Sequence, residues 1–248
     1  MMKDDLPIIV KDDPNLLAQA AAVLFTDAAI EKVTVNNLFT VAISGGATPR
    51  AMYHLLTEEP FISRVPWDRT HFFWVDERLV PWNHPYSNYG SAEEYFIGKI
   101  PIPKSNVHPM PVDFSPETAS KKYQDSLTTF FDLEKGKFPR LDLIILGMGK
   151  DGHTASLFPG QRALDERQQL VISVKGGNPF VDRLTMTFPV LNNAMEILLL
   201  VSGEDKADTL KAVLEDKQNA LPAQRVRPTH GTLKWLMDRK AASGLSTH

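Results

Sequence analysis

The chain reads as an α/β protein on a mostly parallel open sheet flanked by helices on both faces, and three observations predict it. Short apolar runs rich in β-branched and aromatic residues alternate with longer segments of 3.6-residue period, the pattern of strands joined by helical crossovers. At 248 residues, with 43% hydrophobic and 23% charged residues, the composition is globular and the length allows a large buried core. No internal repeat or low-complexity tract interrupts the pattern.

The elements follow in order. The first helix is expected over Asn15 to Ile30, and several of the helices carry Ser, Thr or Asp at the start and Pro or Gly beyond the end. A strand over Leu38 to Ile43 leads into a helix over Pro49 to Glu59, and a second, aromatic strand runs from His71 to Val75. Five prolines between Pro101 and Pro116 mark an extended connector rather than a strand or helix. Beyond it a helix is expected over Pro116 to Leu133, then strands over Leu141 to Leu146, Leu170 to Val174, Leu184 to Phe188 and Ile197 to Val201. A last helix spans Asp205 to Glu215. Strands of one type lie on both sides of the connector with no Gly/Ser linker between them, so a single sheet in a single domain over residues 1–248 is the expectation.

Charge and composition exclude several functions. With 27 basic and 30 acidic residues the net charge is −3, which offers no field for a nucleic-acid backbone or an anionic membrane. The absence of Cys removes disulfides, thiolate metal sites and thiol nucleophiles. The opening MMKDDLPIIVKDDPN has no long apolar stretch, and no run approaches the ~20 residues of a membrane span, so a cytoplasmic protein is expected.

In open parallel sheets ligands bind beyond the carboxyl ends of the strands, which selects three loops. Ser44-Gly45-Gly46-Ala47-Thr48-Pro49 follows the first strand. Its glycines permit a tight turn and close approach, Thr48 is placed to cap the next helix, and Pro49 suits the first helical position. Free N–H groups and the helix dipole there favour an anion such as phosphate, although a well-capped turn accounts for the same residues. Asp76-Glu77-Arg78 ends the aromatic strand, where three charges either form salt bridges or present the Arg fork to an anion. The third loop, Gly147 to Gly160, contains a G-x-G-x-x-G run. Pro159-Gly160 stops any long helix after it, and the next strand ends in Val174-Lys175-Gly176-Gly177 without an acid for a ribose, so a dinucleotide is not expected. What the loop does carry is His153, two residues after Asp151. An unperturbed imidazole titrates near ~6.5 and suits proton transfer at neutral pH. The other histidines, at 54, 71, 84, 108, 230 and 248, sit in no such setting and are read as structural or surface, and no His/carboxylate spacing suggests a metal site.

Taken together, S-G-G-A-T-P, D-E-R and G-M-G-K-D-G-H-T-A-S-L-F-P-G resemble the signature of the 6-phosphogluconolactonase family. The resemblance extends to Ser87-Asn88, Arg183-Leu184-Thr185, Gly203, Lys206, Leu221-Pro222-Ala223 and Trp235-Leu236-Met237-Asp238, and so covers nearly the whole chain. It implies a Rossmann-like sheet of the deaminase/lactonase type and hydrolysis of 6-phospho-D-glucono-1,5-lactone without a cofactor or metal. It also implies a small-molecule partner only, in a monomer or small homo-oligomer. Catalysis falls to His153 and Asp151, and substrate contacts to Ser44, Gly45, Gly46, Thr48, Asp76, Arg78, Gly149, Arg183 and Lys206. Many members carry a Lys five residues before the Arg, where this chain has Asn178, which leaves Lys175, Arg78, Arg183 and Lys206 as candidate cations for the phosphate. The related glucosamine-6-phosphate deaminases share the first loop but have Tyr in place of Arg78 and Glu in place of Phe158. A carboxylate that tunes amino-sugar isomerisation is therefore missing here. A serine hydrolase using Ser44 is disfavoured because too few strands precede it, and a sugar-phosphate sensor without catalysis would not need the Asp151–His153 pair.

Overall fold

The computed structural model describes residues 7–216 and 220–246; His248 lies outside them. The main sheet has seven strands in the order β1-β10-β9-β6-β2-β3-β5: β1 Ile8–Lys11, β2 Phe39–Ile43, β3 Thr70–Trp74, β5 Val107–His108, β6 Leu143–Gly147, β9 Glu196–Val201 and β10 Thr232–Asp238. All six pairings are parallel. β2 is buried along its whole length, as its run of apolar residues on both faces requires.

Helices flank this sheet. α1 (Pro14–Asn36) starts where the Asp13 carboxylate accepts hydrogen bonds from Asn15 N and Leu16 N, and stops at Asn37 in the left-handed conformation. α2 (Ala47–Leu55) follows β2, and a one-turn α3 (Phe61–Arg64) precedes β3. α4 (Asn88–Tyr95) is capped by the Ser87 hydroxyl, and α5 (Pro116–Phe130) by that of Ser115. The short α6 (Phe188–Leu191) precedes β9, and α7 (Ala207–Glu215) follows it. Among the described residues no helix is long and apolar enough to cross a membrane.

The expectation of one continuous sheet needs correction. β4 (Asp76–Arg78), β7 (Val171–Gly176) and β8 (Val181–Met186) form a separate three-stranded antiparallel sheet in the order β4-β8-β7. β7 and β8 are a hairpin, with Gly176 facing Val181 across residues 177–180, so neither joins the parallel ladder. The proline-rich connector also differs from expectation, since β5 lies within it and closes one edge of the main sheet beside β3. There His71 Nδ1 and His108 Nε2 sit 3.0 Å apart, a structural pairing stacked against Phe73 and Phe130.

Strand order places the functional crevice. From β2 the chain builds outward through β3 and β5, then returns to the other side of β2 with β6, β9 and β10. The direction therefore reverses between β2 and β6, and the loops after these two strands open side by side at the carboxyl edge.

Candidate active site

Four strand ends supply the walls of one cleft. The loop after β2 brings Ser44, Gly45, Gly46 and Thr48; β4 brings Asp76 and Arg78; the loop after β6 brings Gly149 and His153; and the turn after β9 brings Lys206. Arg183 enters from β8, and the cleft opens to solvent. Asp151 stands behind His153 rather than on the wall.

At the β2 end the backbone is arranged as an anion cradle. The Tyr53 hydroxyl donates to the Ser44 carbonyl at 3.0 Å and pins the strand terminus. Gly46 caps α2 with φ +105 and no side-chain hydrogen bond, so the first-turn N–H groups lack a capping partner. Thr48 is expected at that cap; it lies instead inside the first turn, because the helix begins at Ala47, two residues before Pro49. Ser44 is 6% exposed, and its buried Oγ has no hydrogen-bond partner among the described residues. A Cβ on Gly45 would lie 2.1 Å from Asn88 Oδ1, so only glycine admits this approach.

That same Asn88 oxygen accepts from Arg78 Nη1 at 2.7 Å, which brings the guanidinium beside the glycine turn. Arg78 Nη1 also donates to the Tyr86 carbonyl at 2.9 Å, while its buried Nε has no partner. Beneath it lies Glu77, fully buried, whose carboxylate accepts from Arg78 N, Asn88 N and Tyr89 N at 2.7 Å each and from Ser87 Oγ at 3.0 Å. Burial pushes this carboxyl up, and those four donors oppose the shift.

Asp76 is also buried. Ser156 Oγ donates to its Oδ2 at 2.7 Å, and Asn88 Nδ2 donates to its carbonyl at 2.9 Å. Arg183, 4% exposed, spends Nε on the Gly176 carbonyl at 2.8 Å and Nη2 on the Pro179 carbonyl at 3.0 Å. Burial, followed by the nearby Arg78 charge, lowers its pKa. Burial likewise lowers that of Lys206, against the pull of Asp205 and Asp238. Lys175 is not on the wall; its ammonium lies 5.8 Å over the exposed ring of Phe180.

On the opposite side His153 Nδ1 lies 2.5 Å from Asp151 Oδ1. A carboxylate can only accept, so Nδ1 carries a proton and Nε2 is the ring nitrogen left for proton exchange. Burial raises the Asp151 pKa, but the imidazole's charge and hydrogen bonds outweigh it and hold the carboxyl below its usual value. The Phe158 ring packs against the imidazole, with ring centroids 4.9 Å apart. The N–H groups of Gly149 and Gly152 are consumed within the loop, by the carbonyls of His153 and Gly149. The N–H groups of Gly149 and Gly152 are thus spent on the shape of this loop, whereas the first turn of α2 stays open.

Sequence reasoning did not single out Glu77, Ser156 or the supporting role of Asn88. The three charges at 76–78 are expected to form salt bridges or to present the Arg fork to an anion; two of them are buried, Glu77 satisfied by a helix start eleven residues on and the Asp76 carboxylate by the Ser156 hydroxyl. Ser87 as a helix cap was the one legible signal for that arrangement.

The cleft thus lies at the switch point of a parallel sheet, walled by a glycine turn and by the loop that carries His153. The model of the glucosamine-6-phosphate isomerases/6-phosphogluconolactonase matches residues 12–235, and the chain belongs to this family. A 6-phosphogluconolactonase of Nostoc sp. is 37% identical over 244 residues, which is 96% of this chain and 97% of that relative. The solved 6-phosphogluconolactonase of Thermotoga maritima superposes with a TM-score of 0.83 at 30% identity, covering 95% of this chain and 100% of that one. That of Trypanosoma brucei gives 0.89 at 26% identity over 98% and 100%.

Proposed function

We propose that this chain hydrolyses 6-phospho-D-glucono-1,5-lactone to 6-phospho-D-gluconate, the second step of the oxidative pentose phosphate pathway. The relatives' names support the reaction. The observation that carries the geometry is a His153–Asp151 pair in the same cleft as two buried donors without partners, Ser44 Oγ and Arg78 Nε. The phosphate takes the β2 end, where Ser44 Oγ, the open first turn of α2 and Arg78 converge, with Lys206 adding charge. The lactone ring then extends toward His153.

In the chemical step His153 Nε2 removes a proton from water as its oxygen bonds to the lactone carbonyl carbon. The tetrahedral intermediate collapses with cleavage of the bond to the ring oxygen, and the imidazolium returns the proton to that oxygen. Asp151 holds the reactive tautomer and stabilises the charged imidazole. A lactone is an activated ester, so positioning and one acid/base group suffice. The test is a coupled assay in which freshly generated lactone is supplied and 6-phosphogluconate formation is followed. Formation no faster than the spontaneous background would refute the reading.

A further inference from the structure

The cleft presents Arg78 in an unusual state: one end of the guanidinium is fastened and the other is buried without a partner. Both acceptors of Nη1, the Tyr86 carbonyl and Asn88 Oδ1, belong to one short segment, residues 86–88. Besides His84, whose Nδ1 and carbonyl accept from Tyr86 N and Ser87 N, and the Asp76 carbonyl, which accepts from Asn88 Nδ2, that segment is gripped by one carboxylate. Glu77 Oε1 accepts from Asn88 N and from Arg78 N, and Oε2 accepts from Tyr89 N and Ser87 Oγ. The carboxylate therefore grips the backbone on both sides of the Arg78 contact, from the strand that carries Arg78 and from the helix start that carries its acceptors. A buried carboxylate is a costly choice for a mere helix cap, which Ser87 already provides through Gly90 N at 3.0 Å.

We propose that Glu77 is a positioning residue: through residues 86–88 it fixes Arg78 so that the Nε edge is offered to the substrate's anionic group. This rests on the reading of the cleft as a sugar-phosphate site. Glutamine is nearly isosteric, but its NH₂ cannot accept, so at least one of the backbone N–H groups now held loses its partner and the segment shifts. Arg78 then loses alignment without losing charge.

The experiment is a double-mutant cycle on Glu77→Gln and Arg78→Ala, read with phosphorylated and unphosphorylated gluconolactone and, by calorimetry, with inorganic phosphate. Glu77→Gln should raise KM for the phosphorylated lactone roughly tenfold, about the worth of one charge-assisted hydrogen bond, with kcat nearly unchanged. KM for the unphosphorylated lactone should not move, and in the Arg78→Ala background Glu77→Gln should cost nothing further. A purely structural role predicts the contrary: equal losses for both lactones, additive with Arg78→Ala, and that result would overturn the proposal. If Glu77→Gln does not fold, Glu77→Asp, which keeps the charge and withdraws it by one methylene, is read in the same cycle. Failure of both to fold would assign Glu77 to stability alone and also overturn it. A wild-type protein without lactonase activity would refute the proposed reaction, and the phosphate affinities of the same variants would then decide the role of Glu77.

Discussion

Replacing Gly149 with Ala tests the catalytic geometry most directly, because the substitution adds one carbon at a known place. That Cβ would lie 2.1 Å from both Cε1 and Nδ1 of His153 and 2.8 Å from Asp151 Oδ1. Ordinary contact begins near 3.4 Å, so the imidazole must retreat by about 1.3 Å or rotate away. Either motion breaks the 2.5 Å bond to Asp151 and carries Nε2 off its line to the carbonyl. Misplacement of a catalytic group by about 1 Å costs on the order of 10²-fold. Gly149 is not among the glycines with positive φ, so the backbone accepts alanine and the melting temperature should hold within a few degrees. The assay is kcat/KM for the phosphorylated lactone, corrected for spontaneous hydrolysis, beside a thermal melt. A folded Gly149→Ala protein within threefold of wild type would show that His153 need not stand where it does, and would refute the general-base reading.

Three further expectations follow from the same geometry. His153→Ala should keep the fold and lose roughly 10²- to 10⁴-fold in turnover; near wild-type activity in the folded variant would count against the general-base assignment. Arg78→Ala should raise KM for the phosphorylated lactone by roughly 10- to 150-fold and leave the unphosphorylated lactone nearly untouched, whereas equal damage would move Arg78 to the carbonyl. At the far edge of the sheet, burial and then the neighbouring His71 lower the His108 pKa from 6.5 to about 4, and burial lowers that of His71. The unfolded chain therefore takes up protons that the fold refuses, so stability should drop as pH falls from about 6.5 toward 4. The loss between pH 7 and 5, read from denaturant midpoints, should shrink in His108→Phe; an unchanged loss would exclude this pair as its source.

Legibility followed burial. β2, β6 and β9 are continuous apolar runs because both faces of a central parallel strand are covered, and all three were readable within two residues. The edge elements were not. β1 has only four half-buried residues, β5 two among prolines, and neither carries a periodic signal. β10 was noticed only as a segment of family resemblance, since Lys234 and Asp238 interrupt its apolar run. The orientation of β7 and β8 was misread because apolar runs do not state their partner's direction, although Gly176-Gly177 between them is a hairpin signal. At the site, eleven residues were named from strand-end position and family resemblance; ten line one cleft and the eleventh bonds to His153. What stayed hidden was the support beneath them, because a buried Glu satisfied by backbone N–H groups has no sequence partner to betray it.

The small antiparallel sheet bears on which insertions and deletions the protein can tolerate. Arg78 and Arg183 are direct register partners between β4 and β8. Residues facing each other across an antiparallel pair have Cα atoms roughly 4.5 to 5.5 Å apart, so backbone pitch, rather than side-chain reach, sets the interval between the two cations. Like charges opposed in this way repel, and the buried carboxylates of Asp76 and Glu77 offset that. Side chains alternate faces along a strand, so gaining or losing one residue in β8 between Arg183 and Thr185 would turn one arginine out of the cleft while leaving the hairpin hydrogen-bonded. Length changes at the hairpin tip, residues 177–180, leave that register alone. Homologues and engineered variants should therefore tolerate length changes at the tip that keep a carbonyl for Arg183 Nη2, the role Pro179 fills here, and hold the count from Asp76 to Arg78 and from Arg183 to Thr185.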